Sequence, residues 1–171
     1  MTNRAMRASM EAVASFLREH PEDAIGNDLP ATATVESGLR CRADWPMGAS
    51  MISDMPAAIG GGASAPTPGW LLRAALATCD ATVIAMRAAA VGVGLDLLEV
   101  TVESRSDDRG LLGIGDVTAG PLEMRTRVRL AANGVDPQML TEIVAWAEAH
   151  SPVGEALRRA LPLATDVEIV A

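Results

Sequence analysis

A chain of 171 residues with 49% hydrophobic and 21% charged residues is sized and composed for one globular domain with one core. Its 22 acidic residues outnumber 14 basic ones, all arginine, and the net charge of -8 with no basic stripe argues against a nucleic-acid partner. The only apolar stretch near membrane length is interrupted by Arg73, Asp80 and Arg87, and the N-terminal segment is broken by Glu11 and Arg18, so neither a membrane span nor an export signal is expected.

The two cysteines, Cys41 and Cys79, lie far apart, which argues against a disulfide scaffold or a zinc site. No cofactor or metal is expected, and the reducing cytoplasm is the expected compartment. Aromatic residues make up only 2%, so the core is expected to be built from close backbone packing and methionine.

Met6, Met10, Val13 and Leu17 recur at helical spacing between about Arg4 and His20, and Pro21 stops that pattern. Residues 1–30 are therefore read as an N-terminal helical arm and linker, and residues 31–171 as the main domain. From Ala31 the period changes to two. Ala31–Glu36, a Ser37–Gly38 turn and Leu39–Asp44 predict a β-hairpin, with a third short strand around Ala49–Asp54. The Gly60–Gly61–Gly62 triplet and Pro66–Thr67–Pro68 form a loop. No Gly-Lys-Ser/Thr follows it, so a phosphate cradle is disfavoured.

The next segment, Pro68 to Ala90, carries Leu72, Leu76, Cys79, Val83, Met86 and Ala90 on one helical stripe, which predicts that Cys79 points inward. Arg73, Asp80 and Arg87 recur on another stripe and are read as a surface charge row. Leu98, Val100 and Val102 alternate with charged residues, as do Leu122 through Leu130, giving two half-buried strands joined by a long loop. The arginines of the second strand are expected to pair with Glu99 and Glu103 across the strands rather than to form an anion site. Asp136–Pro137 and Ser151–Pro152 each open a helix with an N-cap and a following proline. Val167–Val170 is expected to close the chain as a strand.

The run Pro68-Gly69-Trp70-Leu71-Leu72-Arg73-Ala74-Ala75-Leu76-Ala77-Thr78-Cys79 and the later His150-Ser151-Pro152-Val153 resemble the two cysteine motifs of the OsmC/Ohr family of osmotically inducible and organic-hydroperoxide-resistance proteins. The resemblance spans Ala31 to Val170 and leaves the N-terminal arm outside. It implies an α+β fold, with antiparallel β-sheets wrapped around central helices in an intertwined homodimer whose active sites lie at the interface. It also implies that a peroxidatic cysteine becomes a sulfenic acid and condenses with a second cysteine. An arginine from the first hairpin and a glutamate after the loop proline would hold the first thiol as thiolate.

Carried onto this chain, Cys79 takes the peroxidatic position, Ser151 stands at the resolving position and Gly69 stands at the glutamate position. Arg40 and Arg42 both lie in the hairpin that supplies the family's arginine. An ordinary thiol titrates near pH ~8.5 and is only slightly ionised at neutral pH, so a reactive one needs a nearby cation. Cys79 sits mid-helix, beyond help from the helix dipole, and Arg40 or Arg42 is the candidate. In a strand those two arginines share a face and Cys41 takes the other, so Cys41 cannot then replace the missing resolving thiol. Ser151 is read as a helix N-cap rather than a nucleophile, and His20 as an exposed helix end.

Two functions follow. One is a one-cysteine, thiol-dependent peroxidase that reduces small hydrophobic organic hydroperoxides in an oxidative-stress response, with an external thiol as reductant. The other is a non-catalytic dimer that binds a small hydrophobic ligand or acts structurally, with Cys79 as an inert core residue.

Overall fold

The computed structural model describes residues 2–170. Helix α1, Asn3–Glu19, starts where the Thr2 hydroxyl accepts from the Ala5 N–H and ends before Pro21, which cannot continue it. It lies on the long helix described below, and Asn3 Nδ2 donates to the Val93 carbonyl, just past that helix's end, at 3.2 Å.

Strands β1 (Thr32–Ser37), β2 (Arg40–Asp44) and β3 (Ser50–Ser53) form an antiparallel sheet in sequence order, with Thr34 opposite Arg42 and Cys41 opposite Ser53. Gly38, at φ 55°, makes the expected tight turn between the first two. Every residue of β1 is exposed, and no helix of the same chain packs across this sheet among the described residues.

Helix α2 runs Pro68–Ala90, opened by Thr67, whose hydroxyl accepts from the Trp70 N–H at 3.2 Å. Strands β4 (Leu97–Arg105) and β5 (Glu123–Ala131) pair antiparallel with alternating burial, and the loop between them contains a single helical turn, α3 (Asp108–Leu111). On the outer face Arg129 meets Glu99 at 3.0 Å, Arg127 meets Glu103 at 3.5 Å and Arg105 meets Glu123 at 3.0 Å, which is the cross-strand pairing expected from the charge pattern. Helix α4 (Pro137–Ala149) is capped by Asp136, and α5 (Pro152–Arg158) by Ser151.

The core forms where α2 lies against β4 and α4. Ile84, Ala88, Val93, Ile143 and Ala147 are buried there, with Leu98, Val100 and Val128 packed beside them. The small residues let the helices approach closely, as a chain poor in aromatics requires. By length and a mean hydropathy of 1.3, α2 would pass for a membrane span, but it carries this core, and its Asp80 is only 7% exposed.

Three expectations change. The buried stripe of α2 is Leu76, Asp80, Ile84 and Ala88, one helical step from the predicted one, so Cys79 is only partly buried. Asp80 leaves the supposed surface charge row and turns inward at 7% exposure. The Val167–Val170 strand does not form: residues 160–170 adopt no regular structure, and Ile169 is 89% exposed. An alternating segment becomes a strand only where an edge pairs with it, and no edge of this chain does so.

Candidate functional site

Cys79 opens onto an apolar cavity of about 640 Å³ between α2 and the α4–α5 corner, bordered by Val83, Met86, Trp146, His150 and Val153. Ser151, at the start of α5, meets the sulfur. The Gly154 N–H donates to Ser151 Oγ at 3.1 Å, which is the predicted N-cap, and the Ser151 hydroxyl donates to Cys79 Sγ at 3.4 Å. Ser151 is 1% exposed, so one orientation satisfies both the helix end and the sulfur.

The cavity's aromatic side is a stack. Trp146 and His150 lie one turn apart on α4 with ring centroids 3.8 Å apart and nearly parallel planes, and the Arg87 guanidinium lies 4.8 Å from the same indole centroid. His150 Nδ1 is 2.7 Å from the Trp146 carbonyl, which can only accept, so Nδ1 carries hydrogen in this arrangement. The four-residue spacing of Trp146 and His150 was the available signal for this stack; nothing local in the sequence adds Arg87 to it.

The predicted activating arginines are not at the sulfur within the chain. Arg40 donates to Glu36 at 3.2 Å and to Ser64 Oγ at 2.7 Å, while Arg42 pairs with Glu36 at 3.3 Å and Asp44 at 3.5 Å. Both therefore stay with their own sheet and its following loop. Gly69 lies in the first turn of α2, about 15 Å along the helix axis from Cys79 at the usual rise per residue. A side chain would fit at Gly69, since the nearest atoms to an added Cβ are Arg73 NH1 and Thr67 Oγ1, both at 3.9 Å. Cys41 and Cys79 are both free thiols.

Asp54, unmarked in the sequence reading, organises the loop that Arg40 touches. Its carboxylate accepts from the Ser64 hydroxyl at 2.7 Å, from the Ser64 N–H at 3.0 Å, from the Met55 N–H at 2.8 Å and from the Gly62 N–H at 3.2 Å. The Ser64 hydroxyl is the largest cause, with the backbone donors behind it, of a carboxyl pulled from 3.8 down to about 2. Gly61 beside it packs so tightly on the Met55 backbone that no Cβ is accommodated. Among the described residues His20, Glu22 and Asp23 could together hold a metal ion, but all three are exposed and nothing else marks the place as a site.

A long cysteine-bearing helix laid on an antiparallel strand pair, with a capped serine helix meeting the cysteine, defines an α+β protein of the kind found among OsmC and organic hydroperoxide resistance proteins. Residues 60–166 match the family model described as OsmC-like protein, and the chain belongs to that family. Among solved structures, it resembles an OsmC-like protein from Mycoplasma pneumoniae at 17% identity and TM-score 0.66, covering 78% of this chain and 89% of that one. An organic hydroperoxide resistance protein from Legionella pneumophila matches at 19% identity and TM-score 0.57, covering 78% and 92%. One from Elizabethkingia anophelis matches at 18% and 0.56, covering 78% and 90%. At these identities the likeness extends to the fold. No curated protein matches the sequence.

Proposed function

We propose that this protein is a one-cysteine peroxidase acting on small hydrophobic organic hydroperoxides through Cys79, as a homodimer in a reducing compartment. The carrying observation is the Ser151 hydroxyl 3.4 Å from the sulfur, inside an apolar cavity wide enough for a small organic molecule. The hydroxyl donates toward the sulfur, and the apolar wall suits the carbon part of a hydroperoxide. The names of the Legionella and Elizabethkingia proteins point to the same substrate class.

In the proposed cycle the Cys79 thiolate attacks the terminal peroxide oxygen. The O–O bond breaks, an S–O bond forms, and the alkoxide takes a proton to leave as alcohol, with sulfur oxidised by two electrons to the sulfenic acid. An external thiol then condenses with the sulfenic acid, releasing water and leaving a mixed disulfide. A second thiol releases Cys79 as disulfide exchange completes. Ser151 has no sulfur to offer, so the reductant must come from outside.

The homodimer reading rests on the β1–β3 sheet, which presents Arg40 and Arg42 but, among the described residues, has no helix of its own chain packed extensively on it. A second copy could bring that hairpin to Cys79 and complete the cation requirement. The non-catalytic reading is favoured by one observation: Arg40 and Arg42 are already paired with carboxylates, and an uncharged apolar cavity binds a hydrophobic ligand without chemistry.

The deciding experiment exposes the protein to cumene hydroperoxide and traps sulfenic acid with a dimedone-type reagent before mass analysis. The adduct is expected on Cys79 and absent in Cys79→Ser. If Cys79 is labelled no faster than Cys41, the peroxidase reading fails and the ligand-binding one stands.

A further inference from the structure

A second cavity, without the sulfur in its lining, lies on a neighbouring face of α2. It has a volume of about 520 Å³, within the range of small-molecule sites. Leu72, Leu76 and Asp80 come from α2, Met124 from β5, and Leu157 from α5.

Asp80 is the anomaly in it. Only 7% of the residue is exposed, yet no hydrogen bond or ion pair reaches its carboxylate from any described residue. A carboxylate buried without a partner is costly, and folds ordinarily pair such groups. No side-chain oxygen or nitrogen is sealed in without a partner among the described residues, so the Asp80 oxygens open into the cavity rather than into packed core.

The neighbouring charges do not meet this demand. Glu123 is neutralised by Arg105 at 3.0 Å. Among the described residues Arg158 is the one cation lining the cavity; it is tethered through NH2 to the Glu148 carbonyl at 2.7 Å and reaches no carboxylate. With Glu148 also unpaired, Asp80, Glu148 and Arg158 leave one negative charge uncompensated. Leu72, Leu76, Met124 and Leu157 supply the apolar part of the lining, beside the Thr126 hydroxyl.

We propose that this cavity is a binding site for a small organic monocation with an apolar tail, an alkyl- or arylalkyl-ammonium, whose charge is met by Asp80. The ammonium replaces the water that otherwise solvates the carboxylate, and the tail lies along Leu72, Leu76, Met124 and Leu157. The site is independent of the Cys79 chemistry, so it stands or falls without it.

Isothermal titration of the full chain with n-hexylammonium, hexan-1-ol and hexanoate tests this. The ammonium is expected to bind, the alcohol about tenfold or more weakly, and hexanoate least, since a charge-assisted hydrogen bond is worth that ratio or more. Asp80→Asn should lose about tenfold in ammonium affinity while leaving the alcohol unchanged, and should melt no lower than the wild type because it removes a buried unpaired charge. On the wild type, amide shifts on adding hexylammonium should centre on Met124, Thr126 and Leu157. Absence of binding, equal binding of the alcohol, an unaltered Asp80→Asn, or shifts centred elsewhere would each overturn the proposal.

Discussion

Ser151 shows how one side chain can hold two jobs at once. As a cap it satisfies the Gly154 N–H, and Ser151→Ala should cost about 1 kcal/mol in thermal or denaturant unfolding. As a donor it faces Cys79, so the same variant should also slow hydroperoxide-driven labelling of Cys79. Ser151→Cys places a thiol where the hydroxyl stands, 3.4 Å from Sγ, and a disulfide with Cys79 should then form on oxidation, read as loss of both free thiols under non-reducing conditions. If these thiols survive oxidation while the sulfenic acid accumulates, the geometry at the corner is wrong. The cap was legible in the sequence because Ser-Pro before a helix is a local signal; the sulfur contact was not, because the two residues are 72 apart in the chain. Asp54 was hidden for the same reason, its donors lying up to ten positions downstream. Its carboxyl is held near 2 in the fold against 3.8 unfolded, so its contribution to stability is complete above pH about 3.8 and is lost as pH falls toward 2. Asp54→Asn should flatten that part of the stability-against-pH curve, measured by urea unfolding between pH 2 and 5; an unchanged slope would show that the carboxylate's donors do not stabilise it.

At the scale of elements, the sequence pattern located five strands and every helix but the single turn α3, which it read as loop, and it misjudged which side of α2 faces the core. The helix is apolar nearly all round, so two neighbouring stripes carry similar hydropathy and packing partners decide between them. The stripe that runs on to Ile84 and Ala88 won because β4 and α4 lie against those two residues. Unfolding free energies of two truncations distinguish these faces. Ile84→Ala, at 1% exposure, should cost about 2–5 kcal/mol. Met86→Ala, at 40% exposure on the cavity side, should cost less, about 1–2 kcal/mol, since a large part of its apolar surface stays in water on folding. Equal costs would mean that α2 is turned as the sequence alone suggested. The terminal Val167–Val170 segment teaches the converse lesson: its alternation reads as strand, but strand formation is a property of a pair, and its partner is not in this chain's own sheets.

For the whole molecule, the described chain leaves more apolar surface uncovered than a stable monomer of this size ordinarily presents. Val35 is 63% exposed, Met51 58% and Trp45 52% on or beside the β1–β3 sheet, and Leu163 and Ile169 in the C-terminal segment are 93% and 89% exposed. Among the described residues no helix of the same chain makes extensive contact with that sheet, although two-layer packing is what normally stabilises one. The sheet also holds Arg40 and Arg42, the cations that the proposed Cys79 chemistry requires and that the chain does not deliver to its own sulfur. One arrangement answers both needs: a second copy that covers the sheet and receives its arginines. A symmetric pair of this kind uses the same patch twice, so one substitution acts at both ends of the interface. Light scattering coupled to size-exclusion chromatography should therefore give a mass twice 17.8 kDa. Val35→Glu places like charges on a β1 surface that would be covered, and should shift the population toward monomer while slowing Cys79 labelling in parallel, because the arginines leave with the sheet. A monomeric wild type would refute the dimer, whereas a dimer in which Val35→Glu changes mass but not Cys79 labelling would separate assembly from activation and remove Arg40 and Arg42 from the chemistry.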